Sequence, residues 1–126
     1  MGWIRCDNEI LEAVELAEDR VLLITRRHTD AVSPERLAAA LFEALGEPLP
    51  EHRDWTVVVD SRLAPPRNDA RLEAQLQRVR ARMLSQFGHM IVVVASAAGR
   101  LQARRLGRET IVGDVVEAMQ LARARG

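Results

Sequence analysis

Two stretches decide the fold: Trp55-Thr56-Val57-Val58-Val59-Asp60 and Met90-Ile91-Val92-Val93-Val94-Ala95. In both, β-branched residues follow one another without alternating polar residues. Such a run suits a central strand that is covered on both faces, as in the parallel sheets of α/β proteins. We therefore predict that both stretches are central strands of a sheet.

Residues that typically begin and end helices predict helices before and after these strands in the chain. Asn68 or Asp69 caps a long helix, which Gly88 ends and whose buried stripe is Leu72, Leu76, Val79, Met83 and Phe87. The other three helices have equally local signals: Ser33-Pro34 with Gly46, Ser96 with Gly107, and the capping-box spacing of Asp114-Val115-Val116-Glu117. Thr110-Ile111-Val112 is a short strand between the last two helices.

The N-terminal segment predicts further strands. Val21-Leu22-Leu23-Ile24-Thr25 is a buried strand by its branched apolar run. Residues 9–18 leave two interpretations open, because loose alternation favours a strand while helical spacing is also satisfied; we prefer the strand, and Trp3 to Cys6 adds a candidate strand. The fold class is thus α/β, a mixed β-sheet of four to six strands in which an N-terminal hairpin precedes alternating helices and mostly parallel strands, with about four helices.

Composition limits the possible functions. The 126 residues suit one domain, 1–126, and no apolar run reaches the roughly 20 residues of a membrane span. All 18 basic residues are arginine, which excludes a phosphate-loop lysine or a Schiff base. The single cysteine, Cys6, excludes an internal disulfide, and the three histidines lack metal-ligand spacing. We expect a cytoplasmic protein with no catalytic residues, metal or cofactor.

Charge is balanced over the whole chain but not along it. Net charge is zero, yet acidic residues dominate the first half and arginine the second. Either folding mixes these charges on one surface, or two opposed faces mediate self-association as a homodimer or recruit an acidic partner. Zero net charge and 3% aromatic residues argue against nucleic acid.

The order of elements resembles the STAS superfamily, the fold of anti-sigma-factor antagonists, and within it the STAS/SEC14-like small bacterial proteins. The resemblance covers most of the chain. It is carried by the two central strands and by Ile111-Val112-Gly113-Asp114-Val115-Val116-Glu117-Ala118. It implies a non-enzymatic module of bacterial signalling that binds a regulatory protein, in some members under a phosphorylation switch.

That switch is not predicted here. In the family the phosphorylated residue starts the helix after the central strand, where this chain has Asn68 and Asp69. Ser61 is the only hydroxyl residue in this loop and lies too early in it. The two residues at the helix start are interpreted as caps, with a carboxylate that imitates phosphate as the alternative.

The predicted partner-binding surface combines the loop after the central strand with an arginine strip on the long helix. Arginine suits carboxylates and phosphates because its planar fork donates two hydrogen bonds at once. The strip is equally consistent with an ordinary solvated face, and Asp60 with a structural anchor of the loop. The predicted surface comprises Asp60, Ser61, Arg62, Arg67, Asn68, Asp69, Arg71, Arg78 and Arg82.

The sequence thus predicts a regulatory module that binds a bacterial regulatory protein, and an acidic partner would suit the arginine strip. The alternative is a protein that binds a lipid or small ligand, which a large apolar cavity would favour. Trp3 and Trp55 are expected to fill the core, His89 to lie in the core or at its edge, and Cys6 to be a small buried residue.

Overall fold

A computed structural model describes residues 2–27, 32–65, 67, 69–107 and 110–125. The elements follow the order of the chain, with short 3₁₀ helices at Ala17–Asp19 and Pro50–Asp54. The strands are β1 (Trp3–Asp7), β2 (Leu11–Leu16), β3 (Val21–Arg26), β4 (Thr56–Asp60), β5 (His89–Val93) and β6 (Thr110–Val112). The helices are α1 (Pro34–Leu45), α2 (Ala70–Gln86), α3 (Ala97–Leu106) and α4 (Val115–Arg125). Within residues 9–18 the chain forms the strand Leu11–Leu16, in agreement with the preferred interpretation.

One mixed sheet holds all six strands in the order β1-β2-β3-β4-β5-β6. The first two pairings are antiparallel, and the pairings from β3 to β6 are parallel. Each parallel pairing needs a crossover connection, which α1, α2 and α3 supply. The predicted α/β class, with an N-terminal hairpin and mostly parallel later strands, is confirmed.

The helices divide between the two faces of the sheet. Alternate residues of β4 separate the faces: Val57 and Val59 belong to the core with α1 and α2, whereas Val58 packs with Ala118 and Met119 of α4. Right-handed crossovers along a sequential strand order place successive helices on one face. We call this side, which carries α1, α2 and α3, the three-helix face.

Each helix starts at a predicted capping residue. The side-chain oxygens of Ser33, Asp69 and Ser96 accept hydrogen bonds from backbone amides at the starts of α1, α2 and α3. Oδ1 of Asp114 accepts from the amide of Glu117, 2.7 Å away. α1 ends at Gly46, whose φ of 63° is easily adopted only by glycine. These local signals fixed the helix starts.

Some expectations about individual residues are wrong. Trp3 does not fill the core: 72% of it is exposed, because β1 is the edge strand. His89 is exposed at the start of β5 rather than in the core. Trp55 packs partly buried against the core, and Cys6 is buried and free, as expected.

His52 is a core residue that the sequence did not indicate. It is only 2% exposed, and its ring stacks on Phe87 with the ring centres 5.0 Å apart. His28, another of the three histidines, lies outside the described residues. Of the helices described, none is both long and apolar enough to cross a bilayer.

Candidate ligand-binding cleft

A cleft of about 140 Å³ lies between the three-helix face of the sheet and the helices that cover it. Its floor comes from β2, β3, β4 and β5, and its roof from α1, α2 and α3. The loop that follows β4 closes one end. The lining is Leu11, Ile24, Arg26, Leu37, Leu41, Val59, Ser61, Ala64, Pro65, Arg67, Leu72, Leu76, Val92, Val94, Gly99, Gln102, Ala103 and Leu106.

The position of this cleft follows from the strand register. In the parallel pairing of β3 with β4, Thr25 is opposite Asp60. One residue further, Arg26 ends β3 and Ser61 follows β4, so both lie at the same edge of the sheet. Both line the cleft. The carboxyl ends of parallel strands, where open α/β sheets bind their ligands, thus contribute polar side chains to an apolar space.

Arg26 is the buried charge of the cleft. Only 8% of the residue is exposed, and its strand neighbours on the same face, Leu22 and Ile24, are core residues. Burial lowers the pKa of the Arg26 guanidinium, and the nearby positive charge of Arg67 lowers that pKa further. Arginine nevertheless remains charged in proteins, so the cleft contains a buried cation.

Arg67 joins the loop to the starts of two helices. Its Nη1 donates to the carbonyl oxygen of Val32, just before α1, at 2.8 Å. Its Nη2 donates to Oδ2 of Asp69, the N-cap of α2, also at 2.8 Å. From α3, Nε2 of Gln102 donates to the carbonyl oxygen of Arg67 at 2.7 Å. This residue therefore holds the loop end of the cleft in place.

A second cavity of about 100 Å³ adjoins the cleft. Ser61, Val59 and Leu76 line both spaces. Beyond them the second cavity continues under α2, past Val79 and Met83. Apart from Ser61 and Arg80 its lining is apolar. The two spaces form a short, mainly apolar chamber with a polar end at the loop.

Asp60, the first residue of the predicted surface, does not belong to this chamber. It alternates with Val59 and so lies on the face of the sheet that α4 covers. It is 4% exposed, and both carboxylate oxygens accept hydrogen bonds from Arg62. The interpretation of Asp60 as a structural anchor of the loop is consistent with these contacts.

The predicted arginine strip lies beside α1. Arg71 pairs with Glu35, and its Nε donates to Oε2 of that residue at 3.0 Å. Arg82 donates to the carbonyl oxygen of Gly46, which follows α1, at 2.9 Å. The guanidinium of Arg82 also lies 5.8 Å from the ring centre of Phe42, and that of Arg78 lies 5.6 Å from it. These contacts connect α2 to α1.

At the start of α2, Asp69 acts as a cap. Its Oδ1 accepts from the backbone amides of Arg71 and Leu72, at 3.0 and 3.2 Å. The pKa of the Asp69 carboxyl is lowered, first by its hydrogen bond from Leu72 and also by Arg67. Asn68 lies outside the described residues.

The structure brings together only some of the predicted residues. Ser61 and Arg67 line the cleft, whereas Asp60 and Arg62 lie apart from it. Arg26 and Gln102 are members of the cleft that the sequence reasoning missed. A signal for Arg26 existed, since it follows Leu22 and Ile24 at the strand period of two and so shares their buried face.

In the ranges that the structure describes, no three His, Cys, Asp or Glu side chains converge as a metal ion would need. Comparison of the chain with protein-family models, with curated proteins and with solved structures finds no match.

Proposed function

We propose that this protein is a non-enzymatic, STAS-like binding module that takes up a small, mainly apolar ligand in the cleft. The observation that carries the proposal is the pair of adjoining cavities, about 140 and 100 Å³ in size. Engineered apolar cavities of about 150 Å³ bind benzene or xenon. The chamber is therefore large enough for a small organic molecule.

The position and lining of the chamber support the same function. Small-molecule sites are concave and mainly apolar, with a few polar groups that fix the orientation of the ligand. In this chamber, leucine and valine are the commonest lining residues; Arg26, Ser61 and Arg67 lie at the loop end, and Arg80 of α2 lines the second cavity. That end coincides with the carboxyl edge of the parallel strands, where ligands bind in open α/β sheets.

A cavity-filling variant tests the proposal. Ala103 of α3 is 8% exposed and lines both cavities, so Ala103→Leu places extra carbon atoms in the chamber. Ala98→Leu makes the same change at an exposed position of α3 and is the matched control. The probe is 1-octanol, and binding is followed by changes in the methyl resonances of the protein in NMR spectra.

We expect the wild type and Ala98→Leu to bind 1-octanol with equal affinity, and Ala103→Leu to bind it at least about tenfold more weakly. Thermal unfolding of each variant checks that it is folded. No binding by the wild type, or equal binding by all three proteins, contradicts a ligand chamber.

A second candidate function is the regulatory module that binds an acidic bacterial protein. One observation favours it: the loop after β4 exposes Arg62 and Leu63, the latter to 52%. Affinity capture from native lysate tests this function with wild-type and Arg62→Ala/Leu63→Ala baits. A bait with Arg71→Ala, Arg78→Ala and Arg82→Ala tests the arginine strip separately. A protein captured by the wild type and lost with either bait supports a partner surface, whereas equal capture by all three baits contradicts it.

The predicted homodimer has a surface of its own. Trp3 and Ile4 of the edge strand β1 are 72% and 62% exposed. The strand also has an irregular register between Ile4 and Cys6, a feature that makes an edge less suitable for pairing with another strand. Sedimentation at low and high salt, with Trp3→Ser as the variant, tests self-association; a wild type that stays monomeric at every concentration contradicts it.

A further inference from the structure

We propose that a second copy of this chain covers the part of the sheet that α4 leaves open, with β1, β2 and β3 of the two copies packed face to face around a two-fold axis. This inference rests on the homodimer proposed above and names its surface, and it is independent of the ligand chamber. It is carried by an apolar row across these three strands, whose order makes it complementary to its own copy.

The two faces of the sheet are covered unequally. Six strands span roughly 25–30 Å, whereas one helix with its side chains is about 10 Å wide. Three helices cover one face. On the other face, of the helices that the structure describes, α4 alone is present, and it packs on β4, β5 and β6 and over Val21 at the start of β3. We call the α4 side of β1, of β2 and of β3 beyond Val21 the open half-face.

An apolar row crosses the open half-face. The register pairs Ile4 of β1 with Val14 of β2, and Val14 with Leu23 of β3, so the three side chains point to the same side of the sheet. That side is the α4 side, because Leu23 packs against the core that α4 covers. Ile4 is 62% exposed, and Val14 and Leu23 are only partly buried. Contiguous exposed apolar side chains, unlike scattered ones, indicate an interaction surface.

One side of α4 borders the open half-face. Arg123 of α4 pairs with Asp19, which lies between β2 and β3, at 3.0 Å, whereas Arg125 donates to the hydroxyl of Thr110 in β6. These two contacts identify the two sides of the helix. Val116 precedes Arg123 by about two helical turns and therefore lies on the same side as Arg123. Since 68% of Val116 is exposed, α4 adds a further apolar side chain beside the row.

The order of the row makes it complementary to its own copy. A two-fold axis parallel to the strands places β1 of one copy over β3 of the other, and β2 over β2. Ile4 then contacts Leu23 of the second copy, and Val14 contacts Val14, as an isologous interface requires. Packed sheets lie about 10 Å apart, which is also the thickness of a helix layer. The α4 helix of each copy therefore lies beside β1 of the other, with Val116 against that edge.

The charges at the ends of the row also suit a second copy. At one end, Arg27 pairs with Asp7 and lies 3.6 Å from Glu12; at the other, Asp19 pairs with Arg123. Neither sign dominates, so two copies do not repel each other as faces of one charge sign would. The same axis places Arg27, which follows β3, over Asp7 at the end of β1 in the second copy. This opposite-charge contact occurs twice in the dimer.

The size of the open half-face sets the expected affinity. Three strands of five or six residues present a face of roughly 15 by 20 Å. Specific stable interfaces bury about 1,200–2,000 Å² in total, so this contact is at or below the lower end of that range. We therefore expect a reversible dimer with a Kd on the order of 10–100 µM.

Sedimentation velocity from about 1 µM to about 1 mM protein measures this dimer. Ile4→Glu places a charge in the row. Trp3→Glu is the matched control, because Trp3 is the preceding residue of the same strand, is 72% exposed and points to the opposite side of the sheet. We expect Ile4→Glu to weaken the dimer at least about tenfold, since its charge loses water at the interface, and Trp3→Glu to match the wild type. Thermal unfolding checks that both variants are folded.

NMR spectra of the wild type give an independent readout. The methyl resonances of Val14, Leu23 and Val116 should shift as the protein concentration rises. Those of Leu63 and Leu101 should not, because these residues are exposed on the loop after β4 and on α3.

The outcomes separate this proposal from those above. A wild type that stays monomeric up to about 1 mM overturns the second copy and the homodimer together, and leaves the ligand chamber standing. A dimer that both variants weaken equally, or that neither weakens, overturns the open half-face as its surface and leaves the homodimer. Shifts of Leu101 in place of Val14 do the same. If the Val14 and Leu23 resonances of a monomeric wild type shift with phosphatidylcholine vesicles, the face binds a lipid surface and the second copy is overturned.

Discussion

Arg62 holds the buried carboxylate of Asp60 at two points: Nε lies 2.9 Å from Oδ1, and Nη2 lies 2.8 Å from Oδ2. Asp60→Asn removes the charge but keeps an oxygen for the backbone amide of Arg62. Because the Arg62 side chain is 41% exposed, solvent screens part of the effect, and we expect a loss of about 1–2 kcal/mol in the free energy of unfolding.

Urea unfolding at pH 7.5 measures this loss. The control is Asp19→Asn, which removes the charge from the pair with Arg123, whose side chain is 58% exposed. Exposed pairs of this kind contribute little, so the control should lose clearly less stability than Asp60→Asn. Equal losses in the two variants would show that burial does not strengthen the pair of Asp60 with Arg62.

His52 makes stability depend on pH. Its pKa is lowered in the fold, first by burial and then by the charge of Arg5. The folded state therefore binds fewer protons than the unfolded state below the usual pKa of about 6.5, and stability falls as the pH decreases through that value. We expect the wild type to be less stable at pH 5.5 than at pH 7.5, by up to about 1.4 kcal/mol per pH unit below 6.5.

The variant His52→Phe isolates that titration. Phenylalanine keeps a ring against Phe87 and cannot bind a proton. Urea unfolding of both proteins at the two pH values gives the comparison, and the stability loss at pH 5.5 should be smaller in the variant. The lowered pKa values of Asp69 and Glu73 act at more acidic pH and do not interfere. An equal pH dependence in both proteins would assign it to other groups.

Asp69 serves both the cap of α2 and the position of Arg67. Asp69→Ala removes both functions, whereas Asp69→Asn keeps an oxygen that can accept from the amides of Arg71 and Leu72. Loss of an N-cap costs about 1 kcal/mol, so we expect thermal unfolding of Asp69→Ala at a clearly lower temperature and of Asp69→Asn near the wild type. If the asparagine variant is destabilised as strongly as the alanine variant, the carboxylate charge and not the cap dominates.

Gly88 follows α2 at a place with no room for a side chain. A Cβ there would lie 2.4 Å from the carbonyl oxygen of Arg53, and that backbone would have to move. We expect Gly88→Ala to lose about 1–3 kcal/mol of stability in urea unfolding. In Gly113→Ala the nearest atom is the end of the flexible Arg100 side chain, at 3.2 Å. That control should be close to wild type; a similar loss in both would contradict the close backbone approach.

The fold was predictable because its signals are local. Runs such as Val57-Val58-Val59 and capping residues such as Ser33 and Asp114 act through their own neighbours in the chain. The exposure of Trp3 was not predictable in this way, since it depends on which strand lies at the edge of the sheet. The burial of His52 depends likewise on contacts with Phe87, which is distant in sequence.

The candidate site was predicted only in part, because some of its contacts join residues that are distant in sequence. Ser61 and Arg67 stand in a loop after a central strand, a position that itself indicates a site. Arg26 becomes part of the cleft only through its register with β4. The arginine strip has regular helical spacing, but the spacing does not reveal that Arg82 and Arg71 meet α1 across the helix interface.

The strand order of the sheet also shapes how the chain is assembled. Because each strand pairs with the one before it in sequence, every new strand extends an edge that already exists, and the sheet can grow in the direction of synthesis. One face of the sheet cannot be completed in this way: Val21 and Val58 become covered only when α4, the last helix described, packs on them. A nascent or truncated chain without α4 would therefore present an apolar sheet surface to chaperones, while the cleft on the three-helix face could already be formed.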